Sequence, residues 1–164
     1  MISGTRPTHR LRGASALKKQ QGVAAVEFAL LAPVLLLIVL GVAQFGWLLG
    51  NYVMVANAAS AGARYFASQR GTTSPYTATQ TQVNASASLL KTSNLSIATS
   101  VNGAACTSDS ACASGLTSAG GTSAVGTATV TVSYTFVPIF KGSLSGLYAM
   151  MPTTLNASAV ERVQ

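Results

Sequence analysis

Charged side chains are scarce in this chain, at 8% of its 164 residues, and acidic ones are scarcer still. There are three acidic residues, Glu27, Asp109 and Glu161, and a single histidine, His9. Asp109 falls in a stretch that predicts a loop, so neither a catalytic triad nor a carboxylate pair can be assembled from these groups. Glycine-rich phosphate-binding motifs are absent as well. The sequence therefore predicts a protein that is not an enzyme, with no metal, no cofactor and no small-molecule substrate.

The net charge of +7 is unevenly distributed along the chain. Five of the ten basic residues precede Gly22 with no acid among them, whereas five basic residues stand against three acidic ones from Gly22 onward. These few charged residues form no basic stripe with interleaved aromatics, which argues against nucleic acid as a partner. Basic residues before a first apolar span stay in the cytoplasm. We therefore expect the N-terminus in the cytoplasm and the remainder on the far side of a membrane.

The most apolar part of the chain covers residues 22–49. From Phe28 onward it is long enough to cross a hydrocarbon core, which takes ~20 residues of helix. Because residues 28–63 contain no charge, the pattern predicts one long helix over 23–68, transmembrane in its first half. Pro33 removes one intrahelical hydrogen bond and is expected to kink this helix. At 1.5 Å per residue the helix would measure ~70 Å, so about half of it would stand outside the membrane.

Residues 1–22 are polar and basic and predict a cytoplasmic leader. A secretory signal peptide would have a shorter apolar core followed by a cleavage site of small residues. Here the apolar run has full membrane length, and no such site follows it cleanly. Gly22, the glycine before the run, is therefore the candidate site of cleavage.

The remaining residues, 69–164, predict a small α+β domain. Strict alternation of apolar and polar residues predicts strands, and a weaker three- and four-residue spacing predicts one helix. The predicted segments are strands over 95–101, 127–136 and 154–163, a helix over 76–90, a long surface loop over 102–126 and a connection over 137–151. We expect an antiparallel sheet of about three strands, with one face packed on the outer half of the long helix.

The two cysteines, Cys106 and Cys112, lie in the predicted loop. Beyond the membrane they would occupy a compartment in which a disulfide can persist. Such a bridge would close a short loop, and short loops gain least from cross-linking. With no histidine nearby, metal binding is not expected. The pair is a candidate disulfide, and the sequence leaves open whether it is bonded.

Glu27 is the one charge at the start of the apolar run, and two interpretations of it are open. An acid at the edge of a span is inexpensive when lipid headgroups and water solvate it. Alternatively, cleavage after Gly22 would make Val23 a free amino terminus, with Glu27 one helical turn later on the same face. The new ammonium and the carboxylate could then neutralise each other, within one chain or between neighbours. Cleavage would also remove the five basic residues that hold the helix at the cytoplasmic surface.

The same residues resemble a known family. Gly22, four residues, Glu27 and the aromatic Phe28 match the cleavage motif of prepilins. Three features together resemble TadE-type minor pseudopilins of the tight-adherence (Tad or Flp, type IVc) pilus systems. They are the start G-V-A-A-V-E-F-A-L-L-A-P-V-L-L, the pair Phe45-Gly46 and the run N-A-A-S-A-G-A-R-Y over residues 57–65. The resemblance is strong over residues 22–67 and loose beyond them.

This resemblance implies a structural subunit with a pilin-like fold that supports pilus assembly and adhesion. A prepilin peptidase would cut between Gly22 and Val23, and Glu27 with Phe28 would dock the processed helix against its neighbours. The implied partners are that peptidase, other Tad pilins and pseudopilins, and the inner-membrane pilus platform. The implied location is the bacterial inner membrane, with the C-terminal domain in the periplasm. Whether the subunit also enters the extracellular pilus, at tip or base, is left open.

Small residues late in the long helix suit close helix packing. Asn57 and Gly62 belong to this surface, which would contact the chain's own sheet or, alternatively, a neighbouring subunit. Arg64 and Tyr65 follow near the end of the helix, where they would cap it or snorkel, or else contact a partner.

Two other functions are left open by the sequence. A single-pass envelope protein would keep its leader, and its exported domain would bind a partner. A pseudopilin of the general secretory type would undergo a similar cleavage but serve another apparatus. The N-terminus of the membrane-extracted chain separates the first from the Tad interpretation, and the neighbouring genes separate the second.

Overall fold

The computed structural model of the chain describes residues 14–120, 126–139 and 151–164, with side chains from residue 22 onward. Parts of three predicted segments therefore lie outside the described residues: the leader before residue 14, residues 121–125 of the predicted loop, and residues 140–150 of the predicted connection. The chain divides into two units, Met1–Ala43 and Gln44–Gln164. The first helix runs through the boundary between them.

This first helix, α1, covers Ala14–Ala67, and so begins nine residues before the predicted start at 23. The added turns are rich in Ala, Leu, Lys and Gln, which have high helix propensity and need no tertiary contact to favour a helix. Pro33 lies inside α1. Beyond its end, Gly71 turns the chain with a φ of +81°, a conformation that glycine adopts without the steric cost of a side chain.

In the unit Met1–Ala43, no described side chain is buried. Most of its large apolar side chains are exposed, with fractions between 51% for Leu37 and 72% for Leu30, and Leu40 is half-buried. Among the described residues, one helical stretch, Gly22–Ala67, is long and apolar enough to cross a membrane. Mean hydropathy reaches 2.7 there, and none of that window is buried within the chain. Length, composition and exposure together indicate a membrane anchor.

The unit Gln44–Gln164 contains an antiparallel sheet in the order β2-β1-β3-β4. Its strands are β1 Leu95–Val101, β2 Ala104–Cys106, β3 Thr127–Thr135 and β4 Thr154–Arg162. The predicted α+β fold, with a long helix and an antiparallel sheet, is confirmed, but the sheet has a fourth strand. Strand β2 pairs with β1 through the turn Asn102-Gly103, in which both residues have positive φ. An Asn-Gly pair is a strong hairpin signal for this reason, and it explains the extra strand.

The described part of this unit also contains two α-helices, α2 over Pro75–Ser86 and α3 over Asp109–Ala119. The predicted surface loop over 102–126 is therefore wrong across β2 and α3. The Ser108 side chain accepts a hydrogen bond from the amide of Ala111 and caps α3 at its N-terminus. Three residues at helical spacing bury one face of α3, namely Cys112, Leu116 and Ala119. Short side chains and glycine made this segment resemble a loop.

One face of the sheet forms the core with α1, α2 and α3. From α1 the core takes mostly alanines, together with Val55 and Phe66, and the sheet contributes valines such as Val130 and Val132. The opposite face carries Thr and Ser side chains that are half-buried or exposed. This is the pattern of an antiparallel sheet with one face toward water. Because the sheet covers one side of α1, the surface of α1 away from the sheet is open to other contacts.

Candidate functional site

The predicted processing and docking residues lie on the exposed surface of α1. Val23 is 60% exposed, Phe28 is 70% exposed, and Glu27 is exposed as well. Since all of them are in α1, Val23 and Glu27 are four residues apart on one helical face, as the spacing predicts. No contact within the described chain occupies this face, which leaves it available to a partner.

Gly22 has no packing role within the described chain. A Cβ atom built at this position meets nothing within 4 Å. A glycine inside a helix is roughly 1 kcal/mol less favourable than alanine, so Gly22 weakens α1 without a compensating contact. The described contacts of the chain therefore give no packing reason for glycine at this position.

Two amide side chains of α1, Gln44 and Asn51, are buried under the domain, at 2% and 1% exposure. The Gln44 Oε1 atom accepts a hydrogen bond of 3.3 Å from the amide of Ile139, and its Nε2 atom lies 3.8 Å from Sδ of Met151. Asn51 Nδ2 donates to the carbonyl of Trp47 at 2.8 Å. Gln44 thus links α1 to both ends of the β3–β4 connection. The burial of Gln44 could not be predicted from the sequence, because tertiary burial of a helical amide leaves no local signal.

The four residues predicted for helix packing have different environments. Gly62 is buried, and a Cβ there would lie 2.4 Å from Cγ2 of Val83 and 3.2 Å from Cγ1 of Val130. Asn57 is exposed, so it does not pack on the chain's own sheet. Tyr65 is half-buried, and Arg64 is exposed, with its Nε 3.5 Å from Oε1 of Glu161. Close contact between helix and sheet therefore occurs at Gly62, while Asn57 belongs to the open surface of α1.

Cys106 and Cys112 form a disulfide, and both residues are buried. It connects the end of β2 to the first turns of α3. Thr99 on β1 supports it, since its hydroxyl donates to the carbonyl of Cys106 at 2.7 Å. The bridge holds α3 against the sheet edge. Among the described residues, no cluster of three potential metal ligands occurs.

Asp109 joins α3 to α2, a role that sequence reasoning missed. Its Oδ1 accepts from the amide of Thr77 at 2.9 Å, and its Oδ2 accepts from the Thr77 hydroxyl at 2.6 Å. Ser74, the residue before α2, makes no side-chain cap, so Asp109 supplies the negative group that the N-terminus of α2 favours. The side-chain and backbone hydrogen bonds from Thr77 hold the pKa of the Asp109 carboxyl below its ordinary value of 3.8.

We expect an Asp109→Asn variant to melt at a lower temperature than the wild type at neutral pH, with a difference that shrinks in acid. A depressed pKa in the folded state contributes stability above the unfolded pKa, and this contribution is lost as the pH falls through the folded pKa. Thermal melts of the full chain in detergent, from neutral pH to below pH 3.8, would measure both curves. A melting difference that stays constant across this range would contradict the assignment.

The fold defines the class of protein: an N-terminal apolar helix, exposed over its first half and suited to a membrane, followed by a small antiparallel-sheet domain. Residues 22–64 match the family model described as TadE-like protein. This segment is similar to TadE-like proteins, which confirms the resemblance predicted for it from the sequence. No curated protein and no solved structure gives a significant match.

Proposed function

We propose that the chain is a minor pseudopilin of a Tad-type pilus, processed by a prepilin peptidase between Gly22 and Val23. The observation that carries the proposal is the combination of Gly22 and Glu27 at the start of an exposed apolar helix, inside the TadE-like match. We divide the chain into a leader over 1–22, a helix over 23–68 and a domain over 69–164. Its role is structural, in pilus assembly and adhesion, and not catalytic.

The exposed half of α1 supports transfer between lipid and a fibre. Burying one large apolar side chain contributes roughly 1.5–3 kcal/mol relative to water, so side chains such as Leu30 and Leu31 need a nonaqueous environment throughout. Lipid tails and neighbouring apolar helices are similar environments for these side chains, because both are apolar. Transfer of α1 from one to the other therefore carries no large hydrophobic cost. Removal of the basic leader would leave Glu27 and the new Val23 terminus as the charged groups at the start of the helix.

In the proposed orientation, residues 69–164 lie in the periplasm and the leader lies in the cytoplasm. The basic leader without acids supports this orientation. The bridge between Cys106 and Cys112 supports it independently, since disulfides persist in oxidising compartments. The proposed partners are the prepilin peptidase, other Tad pilins and pseudopilins, and the inner-membrane pilus platform.

The mature N-terminus tests this proposal. We expect intact-mass analysis and N-terminal sequencing of the membrane-extracted chain to find it beginning at Val23. A Gly22→Leu variant should keep its leader, whereas Gly41→Leu should be cut normally, because a Cβ at either glycine meets nothing within 4 Å and only Gly22 is next to the bond.

A native chain that keeps its first 22 residues in cells that make pili would overturn the proposal. That result would favour the single-pass envelope protein with an uncleaved leader. Continuity of α1 across the Gly22–Val23 bond is the observation that favours this second candidate, because the helix already begins at Ala14.

A further inference from the structure

An apolar surface cavity of about 250 Å³ lies beside Trp47, on the part of α1 that belongs to the domain unit. Its lining is mostly hydrophobic, with Leu89, Tyr134 and Ile139 among the residues, and Lys91 is the one charged side chain among the described residues that line it. None of the chain's three acids lines it, so Lys91 has no carboxylate partner in the cavity. An apolar cavity with an unopposed cation fits a ligand that is both anionic and fatty.

The turn after α2 holds Leu89 away from the core. Its two neighbours in the core, Ala87 and Leu90, are 1% and 5% exposed, and the amide of Leu90 donates to the carbonyl of Ala87 at 2.8 Å. Leu89 is left 81% exposed, a larger fraction than Leu30 has in the apolar half of α1. Lys91 follows, and its carbonyl accepts from the amide of Asn94 at 3.0 Å, which fixes the turn. The apolar and basic side chains are thus presented together.

Trp47 connects this cavity to the apolar surface of α1. Its indole Nε1 donates to the carbonyl of Val137 at 3.3 Å, while the residue remains 43% exposed. Large apolar side chains stay exposed along α1 up to this point, including Phe45 and Leu49. Tryptophan rings favour the boundary between lipid and water, with an apolar body and a polar edge.

We propose that this surface, made by Trp47, Leu89, Lys91 and Ile139, binds the headgroup region of the bilayer that holds α1, with Lys91 facing the phosphate of an anionic phospholipid. A basic residue near an anionic membrane surface contributes attraction, and a lysine stem can lie along apolar surface while its ammonium stays in the polar layer. This inference rests on the proposed function, in which α1 is a membrane anchor. It adds a lipid contact for the domain itself.

The test uses a fluorescent probe on the full chain in lipid vesicles. A Leu89→Cys variant carries an environment-sensitive dye and is reconstituted into phosphatidylcholine vesicles with and without phosphatidylglycerol. The native cysteines are bonded to each other and are not labelled. The matched control is Ser118→Cys on α3, a helix that packs near Val101 at one end of β1. The cavity lies at the other end of β1, because Tyr134 lines it and pairs with Leu95. Those two ends of β1 are separated by about 20 Å.

We expect the dye at residue 89 to shift to shorter emission wavelength and to be quenched by lipids brominated near the headgroup, while the dye at residue 118 does neither. The shift should be larger with phosphatidylglycerol, and Lys91→Gln should abolish this lipid dependence. Arg162→Gln, at the far end of β4, should leave it unchanged, since Arg162 pairs with Thr127 away from the cavity.

An unquenched, aqueous dye at residue 89 in chains that float with the vesicles would overturn the lipid contact and leave the membrane anchor standing. A shift that depends on protein concentration and resists brominated lipid would also overturn it, in favour of a second copy of the chain. A chain that does not float with vesicles would overturn the anchor and the lipid contact together, whereas the mature N-terminus reports on processing alone.

Discussion

A Glu27→Gln chain should be cut after Gly22 like the wild type, yet be incorporated into pili roughly tenfold less or worse. Hydrogen bonds to charged groups contribute about 1.5–3 kcal/mol. A neutral amide at residue 27 would lose most of this contribution, because it cannot pair its charge with the Val23 ammonium. A factor of ten corresponds to about 1.4 kcal/mol at room temperature, so this loss is large enough to be measured. Glu27 is exposed on α1 and has no partner among the described residues that the substitution would disturb.

The measurement is the ratio of the amount of the chain in pili sheared from cells to the amount in membranes. Glu161→Gln is the matched control, because it removes another of the three acids and breaks only the exposed contact with Arg64. Equal pilus content for Glu27→Gln and wild type would contradict the docking role of Glu27. Failure of the variant to be processed would contradict the separation of cleavage from docking.

Relative to Gly50→Ala in the same helix, a Gly62→Ala change should lower the free energy of unfolding of the domain by about 1–3 kcal/mol, the usual range for overpacking. The new Cβ would lie 2.4 Å from Cγ2 of Val83 and 3.2 Å from Cγ1 of Val130. Both neighbours are β-branched and fully buried, which restricts their ability to move aside. The helix would have to move away from α2 and β3 to make room.

Gly50→Ala on the same helix is the control, because a Cβ there meets nothing within 4 Å. This control gains helix propensity, roughly 1 kcal/mol, without a clash. Urea unfolding in detergent, followed by the fluorescence of Trp47, the one tryptophan of the chain, would measure both variants. Adding Val83→Ala to Gly62→Ala should recover part of the loss, as expected for two residues in contact. Identical unfolding curves for Gly62→Ala and Gly50→Ala would contradict the assigned contact.

The strands and the long helix could be predicted because their signals are local. Strand β1 has the predicted bounds, 95–101, and β3 and β4 each end one residue before the predicted end. Alternating Val and Thr in β3 specifies both the strand and its buried face, since side chains in a strand alternate with a period of two. The apolar run in α1 similarly specifies a helix and a nonaqueous environment.

The segment that contains β2 and α3 could not be predicted from composition. Ala, Ser, Gly and Thr have short side chains with weak hydrophobic periodicity, so 102–126 resembled a loop. The hairpin turn at Asn102-Gly103 and the cap at Ser108 were the available local signals. Docking of α3 then depends on the bridge to Cys112 and on Asp109, whose partner Thr77 is 32 residues away.

The sequence by itself determined the apolar helix, the motif from Gly22 to Phe28, and the alternation of the main strands. Each of these features depends only on residues that are a few positions apart in the chain. The tertiary structure alone decided which face of α1 meets the sheet. It buried Gln44, Asn51 and Gly62, left Asn57 and Leu89 exposed, and brought Lys91 to the cavity beside Trp47. These outcomes depend on contacts between residues far apart in the chain, which neither propensity nor periodicity records.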